Sequence, residues 1–164
     1  MRDQVLSILV LNTTGVLSRI SGLFTRRGFN INSITAGVTS DVRYTRITIV
    51  TNGDELVLSQ IEKQVAKLED VVSVERMDRD SSVARELVLV KVKSDKASRS
   101  ELNTLADIFR AKVVDVSDDS MTIELTGNYS KITAFLKLVN DYGVMELART
   151  GVTALSRGTA AWED

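Results

Sequence analysis

One pattern of hydrophobic periodicity runs through this chain twice, and it restricts the fold more than any other feature. In the first half, residues 4–11 are nearly continuously apolar, as in a strand with both faces partly covered. Val16, Leu17, Ile20, Leu23 and Phe24 then recur at helical spacing, and Gly28 follows Arg26 and Arg27 as a stop signal. Residues 30–39 and 44–51 alternate. Ile34, Ala36 and Val38 share one side with Asn32, opposite Ser33 and Thr35, and Ile47 and Ile49 oppose Arg46 and Thr48. Asn52-Gly53-Asp54 breaks the second of these strands and caps a helix reaching about Leu68, and residues 71–77 read as a fourth strand.

The second half follows the same order with little residue identity. Residues 86–93 form a strand, Ser98 and Glu101 have capping-box spacing, and Leu102, Leu105, Ala106 and Phe109 share a helical face. Strands follow at 113–116 and 121–125 around an Asp118-Asp119 turn, then a helix over 129–142 ended by Gly143, then a strand over 145–152. Strand-helix-strand-strand-helix-strand, written twice, predicts an α+β protein of two ferredoxin-like βαββαβ modules in tandem. The expected boundaries are 1–78 for the first module, 79–85 for a linker and 86–164 for the second with its tail. From Ala154 onward there is no clear periodicity, so a mobile tail is expected, and Trp162 receives no role.

The corner Asn12-Thr-Thr-Gly-Val-Leu-Ser-Arg19 lies between the first strand and the first helix. Gly15 permits a tight turn and close approach, while the free N–H groups of the helix start and the positive end of its dipole favour an anion. The Asn12 side chain adds an acceptor for an ammonium group, so the corner has the parts to grip both ends of a free amino acid. A plain N-cap and turn would read the same way locally.

Composition narrows the function. The 164 residues are 43% hydrophobic and 26% charged with a net charge of −1, which leaves no general nucleic-acid footprint. The chain has no Cys, His or Pro, which removes disulfides, thiolate sites and the commonest general base and transition-metal ligand. No apolar run reaches membrane-spanning length and the start lacks a signal-peptide pattern, so a cytoplasmic protein that does not contact membranes is expected. There is no G-x-G-x-x-G, Walker A, G-x-S-x-G or zinc spacing. An RNA-binding module of this order would carry aromatics on its central strands, and an acylphosphatase-type enzyme would carry an Arg in the loop after the first strand. This chain has Ile, Val and Thr in the first place and Asn12, Thr13 and Thr14 in the second. The expectation is a two-module binding protein with no catalytic site and no metal site, whose exposed sheet edges favour pairing between copies.

Longer stretches carry a resemblance: residues 12–19, 22–31 with Ser33, Gln60-Ile-Glu-Lys-Gln64, Arg85-Glu-Leu-Val-Leu-Val-Lys91, residues 108–116, Glu146-Leu-Ala-Arg-Thr-Gly151 and Ser156-Arg-Gly158. On these the first half resembles an ACT domain, and the whole chain resembles the small regulatory subunits of acetolactate synthase (acetohydroxyacid synthase). The resemblance implies a homodimer through the ACT domain, bound to a catalytic subunit that holds thiamine diphosphate, magnesium and FAD. No cofactor is implied in this chain. It implies activation of that subunit and feedback inhibition by L-valine, or by leucine or isoleucine, in branched-chain amino acid and isoleucine biosynthesis. A stand-alone amino-acid sensor acting on another partner is the alternative. By position, Asn12, Gly15, Val16 and Leu17 would line the effector site, and Asn30 and Ile31 would reach it from the neighbouring copy. Val16, Leu17 and Ile31 would enclose the effector's side chain. Two departures stand out: Thr14 where many relatives have Pro, and Asn32 where they have Glu or Asp.

Overall fold

A computed structural model describes residues 2–78 and 80–158. These form two compact units. One runs up to Ala84 and also takes in the chain from Val152 onward; the other is Arg85–Gly151.

The first unit contains β1 (Arg2–Leu11), α1 (Val16–Arg27), β2 (Ser33–Val38), β3 (Tyr44–Gly53), α2 (Glu55–Val65) and β4 (Val71–Met77). Its sheet is antiparallel in the order β2-β3-β1-β4. The β1–β3 register sets Leu6 opposite Ile49 and Ile8 opposite Ile47. Because side chains alternate along a strand, these residues and Val10 share one face. Ile20, Leu23 and Phe24 of α1 and Leu58, Ile61 and Val65 of α2 bury that face into a single core. The opposite face mixes polar and apolar residues and is also closed: Ser7 and Thr48, paired in register, are 0% and 1% exposed, and Leu9, Val50 and Met77 are buried beside them.

The second unit repeats the plan, its leading strand beginning three residues before the boundary, at Ser82. It holds β5 (Ser82–Lys93), α3 (Arg99–Ile108), β6 (Lys112–Val116), β7 (Ser120–Gly127), α4 (Tyr129–Val139), a short 3₁₀ turn at Asn140–Tyr142 and β8 (Val144–Arg149). The order β6-β7-β5-β8 matches that of the first sheet position by position. Val88, Val90 and Val92 meet Met121, Ile123 and Leu125 beneath Leu102, Ala106, Ile132, Phe135 and Val139. The repeat extends to one backbone detail. Gly53-Asp54 and Gly127-Asn128 both end a third strand and start the helix after it, the Asp54 and Asn128 side chains accepting from Val57 N and Lys131 N. A Cβ on either glycine would lie within 2.8 Å of the following helix's side chains, Val57 Cγ1 or Lys131 Cδ, so glycine lets the helix fold back tightly.

Glu86 is buried on β5, and its carboxylate accepts from both Arg149 Nε at 2.8 Å and Nη2 at 2.7 Å. Removing the guanidinium strands a buried carboxylate, which is costlier than the pair's own net contribution. Arg149→Met is expected to destabilise the chain by roughly 2–4 kcal/mol, read as a lower urea midpoint. The pair Glu86→Gln with Arg149→Met should recover part of that loss.

Two expectations are corrected here. The strand of the second module begins at Ser82, so the segment read as a linker is largely strand. The segment after Gly151 does not trail from the second module: Thr153–Ser156 forms β9, pairs with β5 and packs with the first unit. Four residues with one buried side chain, Ala154, are too short to show a period. Trp162 and residues 159–164 lie outside the described residues.

Candidate functional site

The corner after β1 is built by a ring of hydrogen bonds. Asn12 N donates to Arg43 O at 2.7 Å, and the Asn12 side-chain amide donates to Val42 O at 3.0 Å, tying the corner to the β2–β3 hairpin. Asn12 is exposed, and with its nitrogen so engaged Oδ1 is its side chain's remaining polar atom. Gly15 is the N-cap of α1 with φ +84°, and Val16 N donates to Thr13 O at 3.4 Å. The first intrahelical bond, Arg19 N to Gly15 O, is 3.0 Å. The N–H groups of Gly15, Leu17 and Ser18 are left as the donors of this helix start.

α1 differs here from the other helices. Asp54 caps α2, and Asn128 caps α4. At α3 the capping pair sits one turn earlier than the sequence spacing suggests: Asp95 N donates to Ser98 Oγ and Ser98 N to Asp95 Oδ1 at 2.8 Å. Glu101, expected to complete that box, instead accepts from Tyr142 OH at 2.9 Å. In the equivalent corner of the second module, beside a cavity of about 480 Å³, the chain's own Asp95 carboxylate therefore takes the Ser98 N–H. That corner otherwise copies the first, Ser94 N bonding Asp119 O across to the β6–β7 hairpin as Asn12 N bonds Arg43 O. At α1 no side chain caps the first turn and none of its residues is acidic, so an external carboxylate meets no competitor there.

What holds the open corner is a brace absent from the sequence reading. Asp70, at the entry to β4, accepts from Thr13 Oγ1 at 2.8 Å and from Arg19 Nε at 2.6 Å. Arg19 Nη2 also reaches Thr13 Oγ1 at 3.1 Å and Thr14 O at 3.3 Å. The loop that lacks Pro at Thr14 is thus fixed from outside. The hydrogen bonds from Arg19, then Thr13, hold the Asp70 carboxyl below the usual aspartate range. Its folded value is depressed, so its contribution to stability is present above the ordinary carboxylate range and is lost as pH falls through the folded value. Asp70→Asn is expected to flatten the acid limb of the stability profile and to loosen the corner at neutral pH, weakening effector binding several-fold. Melting curves from pH 7 to 3 and ligand titration at pH 7 check the two halves separately.

The six residues expected at the site fall in two places. Asn12, Gly15 and Leu17 surround the corner, Leu17 being 45% exposed. Val16 is 7% exposed and packed in the core, so the expectation that its side chain encloses an effector is corrected; only its backbone faces the turn. Asn30 and Ile31 lie beyond the far end of α1, a helix of 12 residues and so about 18 Å long. Gly28 ends it in the left-handed region and Phe29 N bonds back to Phe24 O. Asn30 is fixed by its O accepting from Thr51 Oγ1 and its amide donating to Asn32 Oδ1, and Asn32 in turn donates to Asp3 Oδ1 at 2.9 Å. Asp3 thus supplies a carboxylate beside Asn32. Ile31 is half-buried against the core.

Beside the corner runs a groove of about 340 Å³ lined by Leu17, Ser18, Ser21, Ile34 and Ala36. It lies along β2, an edge strand whose Ile34, Ala36 and Val38 point to the helix side but extend past α1. Among the described residues, no group of three or more His, Cys, Asp or Glu side chains is placed to hold a metal, and no helix is long and apolar enough to cross a membrane.

Comparison with known proteins fits this architecture. Residues 6–73 match the family described as the AHAS small subunit-like ACT domain, and residues 85–158 match the family of the small subunit of acetolactate synthase. A Methanothermobacter thermautotrophicus protein named "Probable acetolactate synthase small subunit" is 49% identical over 157 residues, 95% of this chain and 94% of its own. The acetolactate synthase small subunit of Mycolicibacterium smegmatis is 46% identical over 155 residues, 94% of this chain and 91% of its own. The crystal structure of the small subunit from Thermotoga maritima superposes with a TM-score of 0.88 at 41% identity, covering 98% of this chain and all of that one. With both modules matched, and with these identities along nearly its whole length, the chain belongs to the family of acetolactate synthase small subunits, its first module an ACT domain.

Proposed function

We propose that this chain is the regulatory subunit of an acetolactate synthase: it binds the catalytic subunit, raises its activity and makes it sensitive to valine. Family membership supports the catalytic partner. The observation that carries the effector reading is the uncapped start of α1, set beside the Oδ1 of exposed Asn12 and an apolar groove. The N–H groups of Gly15, Leu17 and Ser18 receive the carboxylate, Asn12 Oδ1 takes the ammonium group, and Leu17 with Ile31 of a second copy covers the isopropyl group.

A second copy is needed because one chain keeps Asn30 and Ile31 a helix length from the corner. The exposed β2 edge offers the route: two copies pairing there would bring each corner to the other's Asn30 and Ile31. Burying the isopropyl group contributes roughly 1.5–3 kcal/mol, and charge-assisted hydrogen bonds about 1.5–3 kcal/mol each. After the cost of association, a dissociation constant between about millimolar and micromolar follows. Leucine and isoleucine present the same two charged ends, so the groove's fit to the side chain sets the order among the three. Thiamine diphosphate, magnesium and FAD belong to the catalytic subunit, whose reaction joins two pyruvates, or pyruvate and 2-oxobutyrate, with loss of carbon dioxide. The reaction runs in the cytoplasm.

The test mixes this chain with the acetolactate synthase catalytic subunit and follows acetolactate formation. A rise in rate on adding the chain, reversed by valine, is the expected outcome. No change in rate, with valine still bound by the chain, would favour a stand-alone amino-acid sensor.

A further inference from the structure

We infer that Ser33 and Thr35 are positioning residues for the effector response, because they fasten the returning C-terminal segment to the strand that carries Asn30 and Ile31. This rests on the effector reading above. After Gly151 the chain comes back to the first unit and crosses the face of its sheet opposite the helices, from the β2 edge to the β4 edge. At the β2 edge, Val152 O accepts from Thr35 Oγ1, and Val152 N points to Ser33 Oγ at 3.5 Å. At the β4 end, Ser156 Oγ donates to Glu75 Oε1 at 3.2 Å, Arg157 N to Ser81 O at 2.8 Å, and Arg157 Nε to Ser82 O at 3.0 Å. The distances agree with a strap. Four neighbouring strands span about 14 Å between outer axes, and residues 152–157 extend about 17–20 Å.

The strap accounts for an otherwise odd face. Ser7 and Thr48 are fully buried there, and Arg46 Nη1 donates to Ser7 Oγ at 2.9 Å, burial lowering the Arg46 pKa first and Glu75 opposing that. Ala154, 2% exposed, is the strap's buried side chain. β2 pairs with β3 along one side only. Its helix-side residues are exposed, so beyond the Asn30 and Asn32 bonds to Thr51 and Asp3 at its start, the strand itself is held through Ser33 and Thr35 on the opposite face. Asn30 and Ile31 lead directly into it. Release of the strap frees β2 to shift, and the contact these residues make with a neighbouring copy's corner shifts with it.

The test is hydrogen exchange on the full chain, followed by valine inhibition of the assembled enzyme. Thr35→Val removes the donor while keeping the side chain's shape. Exchange at 33–38 and 153–156 should speed up about tenfold, and Thr35→Ser should restore protection. The valine concentration for half-inhibition should rise about five- to tenfold in Thr35→Val, with activation in the absence of valine unchanged. Ser33→Ala together with Thr35→Val should enlarge both effects. Unchanged exchange at 33–38 in the double variant overturns the strap, and faster exchange with unaltered valine inhibition overturns the positioning role of Ser33 and Thr35. A wild-type enzyme that ignores valine overturns the effector reading, and with it the role assigned to these residues, whereas the exchange data then still report whether the strap holds β2.

Discussion

Replacing Gly15 by aspartate is expected to abolish the valine response while leaving the chain folded and bound to the catalytic subunit. Two causes act together. Gly15 sits at φ +84°, where an L side chain is strained, and a Cβ there would lie 3.2 Å from Arg19 Nη1. The strain costs about 1 kcal/mol, small against the roughly 5–15 kcal/mol that holds a domain together. The second cause is larger: the new carboxylate would sit where the proposed site receives the ligand's own and would itself cap α1. Placing like charges together costs several kcal/mol, so valine affinity should fall about a hundredfold or more. Gly15→Ala separates the two, since it brings the strain without the charge and should weaken valine binding only about three- to tenfold. Titration calorimetry on both variants checks this. An Asp variant that still binds valine within a few-fold of wild type would mean the carboxylate lies elsewhere.

Ile34→Lys is expected to disperse the dimer and remove valine binding in one step. Ile34 stands on the helix-side face of edge strand β2 at 38% exposure and lines the groove beside Leu17. Edge strands avoid pairing with another chain when they carry a lysine, and a lysine from each copy would meet at the same two-fold interface. The change costs little within one chain because the position is already partly open to water. Sedimentation should show monomers at concentrations where wild type is dimeric, with at least about a hundredfold weaker association. If the effector site spans two copies, valine binding is lost in proportion. A monomer that binds valine normally would confine the site to one chain.

The fold was readable because its signal is periodic. Ile47 and Ile49 against Arg46 and Thr48, or Leu102 and Ala106 at helical spacing, declare their faces without help from distant residues. The pieces that escaped depend on partners far away in sequence. Asp70 looks like a surface acid in a turn, and nothing local says that Thr13 and Arg19 converge on it. Asp3 supplies the carboxylate beside Asn32 from the other end of the unit's first 32 residues. β9 is four residues long, and the attachments of Val152 to Ser33 and of Ser156 to Glu75 span 119 and 81 positions. The Val16 side chain was expected at the effector by position in the resemblance, whereas its helical spacing with Ile20 and Leu23 already sets it on the inward face. Ser98 and Glu101 had the right spacing for a cap, but Asp95, three residues before Ser98, formed the reciprocal pair instead. The corner itself was legible in Gly15 and Asn12. Its openness became visible only when α1 was set beside α2 and α4, which cap themselves, and α3, whose preceding turn is capped by Asp95.

The coupling between effector and catalytic subunit is expected to be about 1–3 kcal/mol, as for allosteric pairs generally. A site shared between copies gives it a physical origin, because the ligand then favours the paired state and anything that reads the pairing responds.

The most direct test of that shared site is complementation between two defective chains. Gly15→Asp spoils the corner, and Asn30→Lys spoils the contribution from across the interface; each variant alone should bind no valine. After subunit exchange in an equal mixture, half of the dimers combine one chain of each kind, and each of these holds one intact corner facing one intact Asn30. Calorimetry should then recover about a quarter of the wild-type valine sites, at wild-type affinity. A mixture that binds no more valine than its components would contradict the shared site and place the whole effector pocket within a single chain.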